Sequence, residues 1–310
     1  MSKERERYQY VGASDIAGIV NISPWTSPLS VWHSKIHGRT SDMTDAMYFG
    51  TALETFVKNE FRRRNKTLKV LSKKEMRDEG LSFIEHQELP YICGHPDGYF
   101  IDDKGEIGIL EIKTCSEYSK ADWREGIPDY YFAQVQYYLG IAKLKKAYIC
   151  CLGGGNEWFQ YSIERSNDYV QYLFDKATDF WENNILKGVA PDPTDKDCDR
   201  KILGEEIVKA EKEGVVKTTF IDTPATELED LKAKEKEIKK KIAGAQNKLL
   251  DSLEKHRKAE SHKFRVEYKT HEMSRLNTKA LKEAYPDIYE EFVSKYESSR
   301  LNVKEIKNAL

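Results

Sequence analysis

GHPDGYFIDDKGEIGILEIKT, residues 94–114, is the stretch from which the fold is read. Two runs rich in β-branched and aromatic residues, 91–101 and 107–115, flank Asp102-Asp103-Lys104-Gly105, a turn sequence. A hairpin closing through that turn returns Asp97 beside Glu111. Alternation along the second strand sets Glu111 and Lys113 on one side and turns Ile112 into the core. Two carboxylates and an ammonium gathered on a sheet need a reason. Like charges about 4 Å apart repel by roughly 4 kcal/mol at an effective dielectric near 20. A bound divalent cation removes that cost. Oxygen donors favour Mg²⁺, with Mn²⁺ as an alternative, over zinc. The backbone carbonyl of Ile112 can complete the shell. Such a metal lowers the pKa of a bound water and polarises a phosphate, while Lys113 orients the water and steadies developing charge. The pattern alone is weak, because Glu and Lys two apart on a strand also serve as plain cross-strand ion pairs.

Outward from the hairpin, 147–152 (AYICCL) and 158–164 (WFQYSIE) carry strand signals around the Gly153-Gly154-Gly155-Asn156 turn. A helical pattern at 129–143 lies between the second and third strands, and another at 167–187 follows the fourth. Upstream, helices are expected over 12–22, 28–38 and 44–65, the last running into the basic residues Arg62, Arg63, Arg64, Lys66 and Lys69. Both Ser14 and Asp15 suit the cap of the first. This order predicts an α/β (α+β) fold, a mixed sheet flanked by helices. A Pro- and Asp-rich break at 190–199 suggests a domain over 1–195, a linker over 196–224 and an extension over 225–310. That extension reads as a long helix (225–258) with a modest heptad signal, a strand at 263–270, a helix at 278–298 and a short tail.

Composition narrows the function classes. Fifty basic and 52 acidic residues give a net charge of −2, which counts against a protein that only coats nucleic acid. An enzyme with an acidic metal pocket and a local basic track has charges that cancel in this way. The five cysteines, with no Cys-x-x-Cys pair, argue against a disulfide framework, a zinc ribbon or an iron–sulfur cluster. No run reaches the roughly 18 apolar residues of a membrane span, and the charged N-terminus is no secretory signal, so a cytoplasmic protein without membrane contact is expected. The Gly153–Gly155 run lacks the Gly-Lys-Ser/Thr ending of a phosphate loop. His33, His37, His86, His256, His262 and His271 offer no convincing ligand spacing.

Three further features strengthen the metal reading. Glu54 stands in YFGTALETF on an otherwise apolar helix face, where a carboxylate needs a partner. Gln134 stands in YYFAQVQYYLG, placed to orient a water or hold Lys113. In Gly12-Ala13-Ser14-Asp15, a serine hydroxyl and helix-start amides can hold a phosphate.

The order GASD, FGTALE, GHPDG, EIK, AQVQYYLG resembles the YqaJ-type viral recombinases, the phage alkaline exonuclease group of the PD-(D/E)xK nuclease superfamily, over roughly residues 5–187. The resemblance implies a restriction-endonuclease-like fold and a Mg²⁺-dependent nuclease acting on double-stranded DNA ends. It assigns metal or catalytic roles to Glu54, Asp97, Glu111, Lys113 and Gln134, and 5′-phosphate contacts to Arg7 and Ser14. His95 stands where relatives often carry a serine. Members often act as 5′→3′ exonucleases in phage recombination, assemble into rings such as trimers, and pair with a single-strand annealing protein. An endonuclease on the same fold and a non-catalytic DNA-binding scaffold are the competing readings. Retention of Glu54, Asp97, Glu111 and Lys113 speaks against the scaffold.

Overall fold

The computed structural model describes residues 7–38, 44–210, 214–216, 218–294 and 301–303. The chain divides into two compact units, Met1–Glu211 and Lys212–Leu310. The division falls inside the stretch expected as a linker, and much of that stretch is helical.

The first unit opens with β1 (Val11–Gly12), α1 (Ala13–Ile19), α2 (Pro28–His37) and α3 (Asp45–Arg64). β2 (Lys69–Val70), α4 (Lys73–Asp78), β3 (Ile84–Glu85), β4 (Ile92–Gly94), β5 (Gly98–Ile101) and β6 (Ile107–Cys115) follow. Next come α5 (Lys120–Glu125), α6 (Asp129–Ile141), β7 (Lys146–Gly153), β8 (Glu157–Glu164), α7 (Asn167–Asp179) and α8 (Asp197–Ala210). The sheet order is β2-β5-β6-β7-β8, with β6 and β7 parallel and the other pairs antiparallel. α6 is the crossover that this one parallel pair requires. β1, β4 and β3 form a second, three-stranded sheet.

The stretch 91–101, expected as one strand, is two strands in different sheets. Pro96 has no N–H to give to a ladder and interrupts the run. β5 then returns antiparallel to β6 through the 102–105 turn, with Gly98 opposite Leu110 and Ile101 opposite Ile107.

Alternation along β6 splits the core. Ile109 belongs to the large cluster formed with α1, α6 and α7 residues such as Ile16, Val135 and Leu173. Leu110 and Ile112 point the other way, into a cluster with Val57 and Phe61 of α3 and Phe100 of β5. α3 thus covers one face of the sheet and α6 the other. The capping of α1 differs from expectation. Gly12 is the N-cap, and Asp15 in the first turn accepts the Gly12 N–H at 2.8 Å while pairing with Lys35 at 2.7 Å. That helix-start amide is therefore already engaged.

α8 packs on α2. Its Asp199 is buried and accepts from the Ser27 hydroxyl and from Thr194 N–H and Oγ1, both at 2.7 Å. The second unit holds α9 (Asp222–Asp251), the antiparallel pair β9 (Lys258–Glu260) and β10 (Arg265–Glu267), and α10 (Thr278–Ala284) and α11 (Pro286–Phe292). The single helix expected at 278–298 is two, because Pro286 cannot continue the first and starts the second at its N1 position. No helix among the described residues is long and apolar enough to cross a membrane.

Gly140 shows how closely α6 and α7 approach. A Cβ there would lie 2.4 Å from Val170 Cγ1 and 2.7 Å from Phe174 Cζ. Alanine favours a helix over glycine by about 1 kcal/mol, but overpacking a stiff β-branched side chain and a ring costs about 1–3 kcal/mol. Gly140→Ala should therefore lower stability in urea unfolding by about 1–2 kcal/mol; an unchanged or raised midpoint would refute the tight α6–α7 contact.

Candidate active site

The ladder between β5 and β6 ends at Gly98–Leu110, yet β6 runs on to Cys115. The next amide facing the vacated edge is that of Ile112, and it donates to Asp97 Oδ2 at 2.9 Å. Asp97 thus occupies the place of a missing strand. The N–H and C=O of one strand residue point to the same edge, so the Ile112 carbonyl faces this gap too.

Glu111 is 1% exposed. Its Oε1 accepts from Lys113 Nζ and, at 2.8 Å, from Gln134 Nε2 of α6. Its Oε2 is buried with no hydrogen-bond partner. Burial, then the Asp97 charge, pushes the Glu111 carboxyl up to about 8. Burial likewise raises Asp97, against the pull of Lys113 and the Ile112 N–H. Lys113 loses solvation, but the charges of Glu111 and Asp97 more than offset this and hold it above the ordinary lysine range. Its ammonium also lies 4.9 Å from the Tyr131 ring centroid.

Hydrogen bonds run on outward from the cluster. Tyr138 OH lies 3.4 Å from Gln134 Nε2 and donates to the His95 carbonyl at 2.9 Å, tying α6 to the loop before Asp97. From the opposite face, α3 presents Glu54, which lies 3.4 Å from Lys73 and 3.9 Å from Lys58. Buried Lys58 donates to the Asp97 carbonyl, and desolvation lowers its pKa against the opposing pull of Glu54 and Asp97.

A cleft of about 500 Å³ brings Ser14, Glu54, Asp97, Ile112, Lys113 and Gln134 together, with Glu111 buried beneath its floor. Ser14 is exposed on the first turn of α1. His95 does not line the cleft; its Nδ1 lies 3.5 Å from Tyr10 OH and its ring packs 4.8 Å from Phe83. Arg7 lies in a 3₁₀ turn, and its side chain is outside the described residues. Neither Lys58 nor Tyr131 belongs to a motif visible in the sequence, whereas Tyr138 stands four residues after Gln134 in AQVQYYLG. Lys58 carried one usable signal, its place four residues after Glu54 on the same helical face.

Oxygen donors on Glu54, Asp97, Glu111 and the Ile112 carbonyl fit a hard divalent cation such as Mg²⁺. The unsatisfied Oε2 of Glu111, in a carboxylate buried beside a second one, is the observation that such an ion would answer.

Three comparisons bear on this chain. The model of the YqaJ-like viral recombinase domain matches residues 4–145. The chain is 30% identical over 314 residues to the protein YqaJ of Bacillus subtilis (strain 168), spanning 97% of this chain and 93% of that one. Among solved structures, it is similar to the alkaline exonuclease LHK-Exo from Laribacter hongkongensis at a TM-score of 0.47 and 16% identity, covering 66% of this chain and 96% of that one. A phage-related exonuclease from Haemophilus somnus 129PT is similar at a TM-score of 0.29 and 14% identity, covering 57% of this chain and 96% of that one.

The raised Glu111 pKa sets a pH dependence. Between the ordinary 4.5 and about 8, the folded chain keeps a proton that the unfolded chain has released. Stability contributed by this site therefore falls as pH rises through that window. Glu111→Gln mimics the protonated form. In EDTA it should melt like the parent near pH 5 and several degrees above it at pH 8.5, each kcal/mol being worth about 2–4 °C at this size. Parallel melting curves for the two chains across that range would contradict the buried-charge account.

Proposed function

The chain belongs to the YqaJ-like viral recombinase family, and we propose that it is a nuclease that hydrolyses phosphodiester bonds at double-stranded DNA ends with Mg²⁺. The observation that carries this reading is the pairing of two adjacent carboxylates, half-buried Asp97 and buried Glu111, with Lys113 at an open cleft. A purely structural ion pair needs one carboxylate against Lys113, not two set against each other.

In this reading Glu54, Asp97, Glu111 and the Ile112 carbonyl hold Mg²⁺, or Mn²⁺ in its place. The ion supplies an acidified water and polarisation of the phosphate. The rest of the chemistry falls to the chain. Lys113, kept cationic by its two carboxylates, orients the attacking water and balances charge that builds on the phosphate oxygens. Gln134 fixes the rotamer of Glu111 through Oε1 and leaves Oε2 for the ion. Lys58 holds the Asp97 main chain, and with it the carboxylate, in place. Ser14 on the cleft wall is positioned to donate to a terminal phosphate.

The finer assignments follow from the family resemblance: 5′→3′ polarity, phosphate contact by Arg7 and His95, a role in phage-type recombination beside a single-strand annealing protein, and a ring-shaped homo-oligomer.

The test uses linear and covalently closed circular duplex DNA, with Mg²⁺ or with EDTA. Linear DNA should be degraded only with Mg²⁺, and the closed circle spared. Asp97→Ala and Glu111→Ala should each lose about 10³-fold or more in rate, the scale of a lost metal-based stabilisation of several kcal/mol. Activity undiminished in Asp97→Ala, or in EDTA, would overturn the metal site. Cutting of the closed circle would replace the end-dependent reading with an endonuclease.

A further inference from the structure

Away from the cleft, the side chains of His33 and His37 on α2 and Glu206 on α8 converge, each offering one ligand atom within 4.8 Å of the others. His33 and His37 are four residues apart and share one helical face. Their rings stand 4.7 Å apart between centroids. His33 Nε2 lies 3.7 Å from Glu206 Oε1. A tetrahedral shell with bonds of about 2.1 Å sets its donors roughly 3.4 Å apart, so small rotamer changes in the exposed His37 and Glu206 close the set.

We propose that His33, His37 and Glu206 form a Zn²⁺ site that pins α8 to α2. Two imidazoles and a carboxylate suit Zn²⁺ and disfavour Mg²⁺, which prefers an all-oxygen shell. A fourth position is left for water. Three structural features support the assignment. Asp199 with Ser27, and Lys196 with the carbonyls of Asn21 (3.1 Å) and Thr26 (2.9 Å), already register the start of α8 against the start of α2. The three ligands then meet further along both helices, so two preformed elements supply them. The nearby cations Lys201 and Lys209 pair with Glu205 at 4.0 and 3.9 Å, and Lys35 pairs with Asp15, so none of these pairs engages Glu206. The Trp32 ring packs roughly perpendicular to the His37 imidazole, 5.9 Å between centroids.

The site is independent of the proposed nuclease chemistry and is tested without it. The full chain carrying Asp97→Asn and Glu111→Gln, which disables the cleft for metal, is stripped and titrated with Zn²⁺ against a chromogenic chelator. One equivalent of Zn²⁺ should bind, and the melting temperature should rise with free Zn²⁺ as mass action requires. Adding His37→Ala should abolish both effects, and Glu206→Gln should weaken binding at least tenfold. Both residues are exposed, so neither change should unfold the chain, which melting in EDTA verifies. Co²⁺ in place of Zn²⁺ should give visible absorption that His33→Ala removes. No bound equivalent, or an equivalent that His37→Ala leaves intact, overturns the proposal.

Discussion

The site depends on a strand that starts too late. Because β5 begins only at Gly98 while β6 runs on past Leu110, the Ile112 amide has no ladder partner, and an unpaired buried amide costs about 1–3 kcal/mol. The Asp97 carboxylate meets that need at 2.9 Å. In doing so it is carried into the sheet beside Glu111, where two acids would not otherwise be placed. Lys113, two residues on and on the same side, is the local answer to their repulsion. Gln134 and Tyr138 then tie this cluster to α6, and Lys58 ties it to α3.

The same alternation that builds the core builds the cluster. Ile109 and Glu111 point to the α6 side, Leu110 and Ile112 to the α3 side. Had Glu111 been a leucine, the row would have closed as ordinary core. A buried carboxylate with an idle oxygen lowers the stability of the metal-free fold, a cost characteristic of sites built for function. Glycine has a matching role on the helical side: Gly140 lets α7 approach α6 within van der Waals contact and so fixes the helix that carries Gln134.

Much of this was legible in the sequence, because it rests on short-range rules. The acid-and-glycine turn at 102–105, the alternation of 109–113 and the crossover helix all follow from period and turn chemistry, and they suffice to bring Asp97, Glu111, Lys113 and Gln134 together. What escaped depends on backbone interruptions or on distance. Pro96 divides one apolar run between two sheets, and the run alone does not show where. Lys58 reads as an ordinary helical lysine until the fold buries it. His33 and His37 stand four residues apart, a spacing unconvincing by itself, and the carboxylate beside them, Glu206, comes from α8, in a region whose composition suggested a linker. The basic stretch that begins in the last turn of α3 also changes meaning. Arg63 and Arg64 pair with Glu60 at 2.7 and 2.5 Å, and Arg62 reaches the Leu71 carbonyl at 3.2 Å, so the run largely serves its own helix end.

Charge balance links the cluster to its proposed substrate. Glu54, Asp97 and Glu111 face Lys58, Lys73 and Lys113, three potential anions against three cations. With all six ionised, such a set has no net attraction for a polyanion, and exposed pairs elsewhere are worth only about 0–1 kcal/mol each. On the proposed reading, a divalent ion changes the sign of the whole floor, adding two positive charges where the surrounding protein screens poorly. Metal and DNA would then bind with positive coupling, each raising the affinity for the other by the same factor. On that reading the near-neutral chain would need no broad basic face to hold a DNA end, because the attraction would be assembled locally and only with the ion bound.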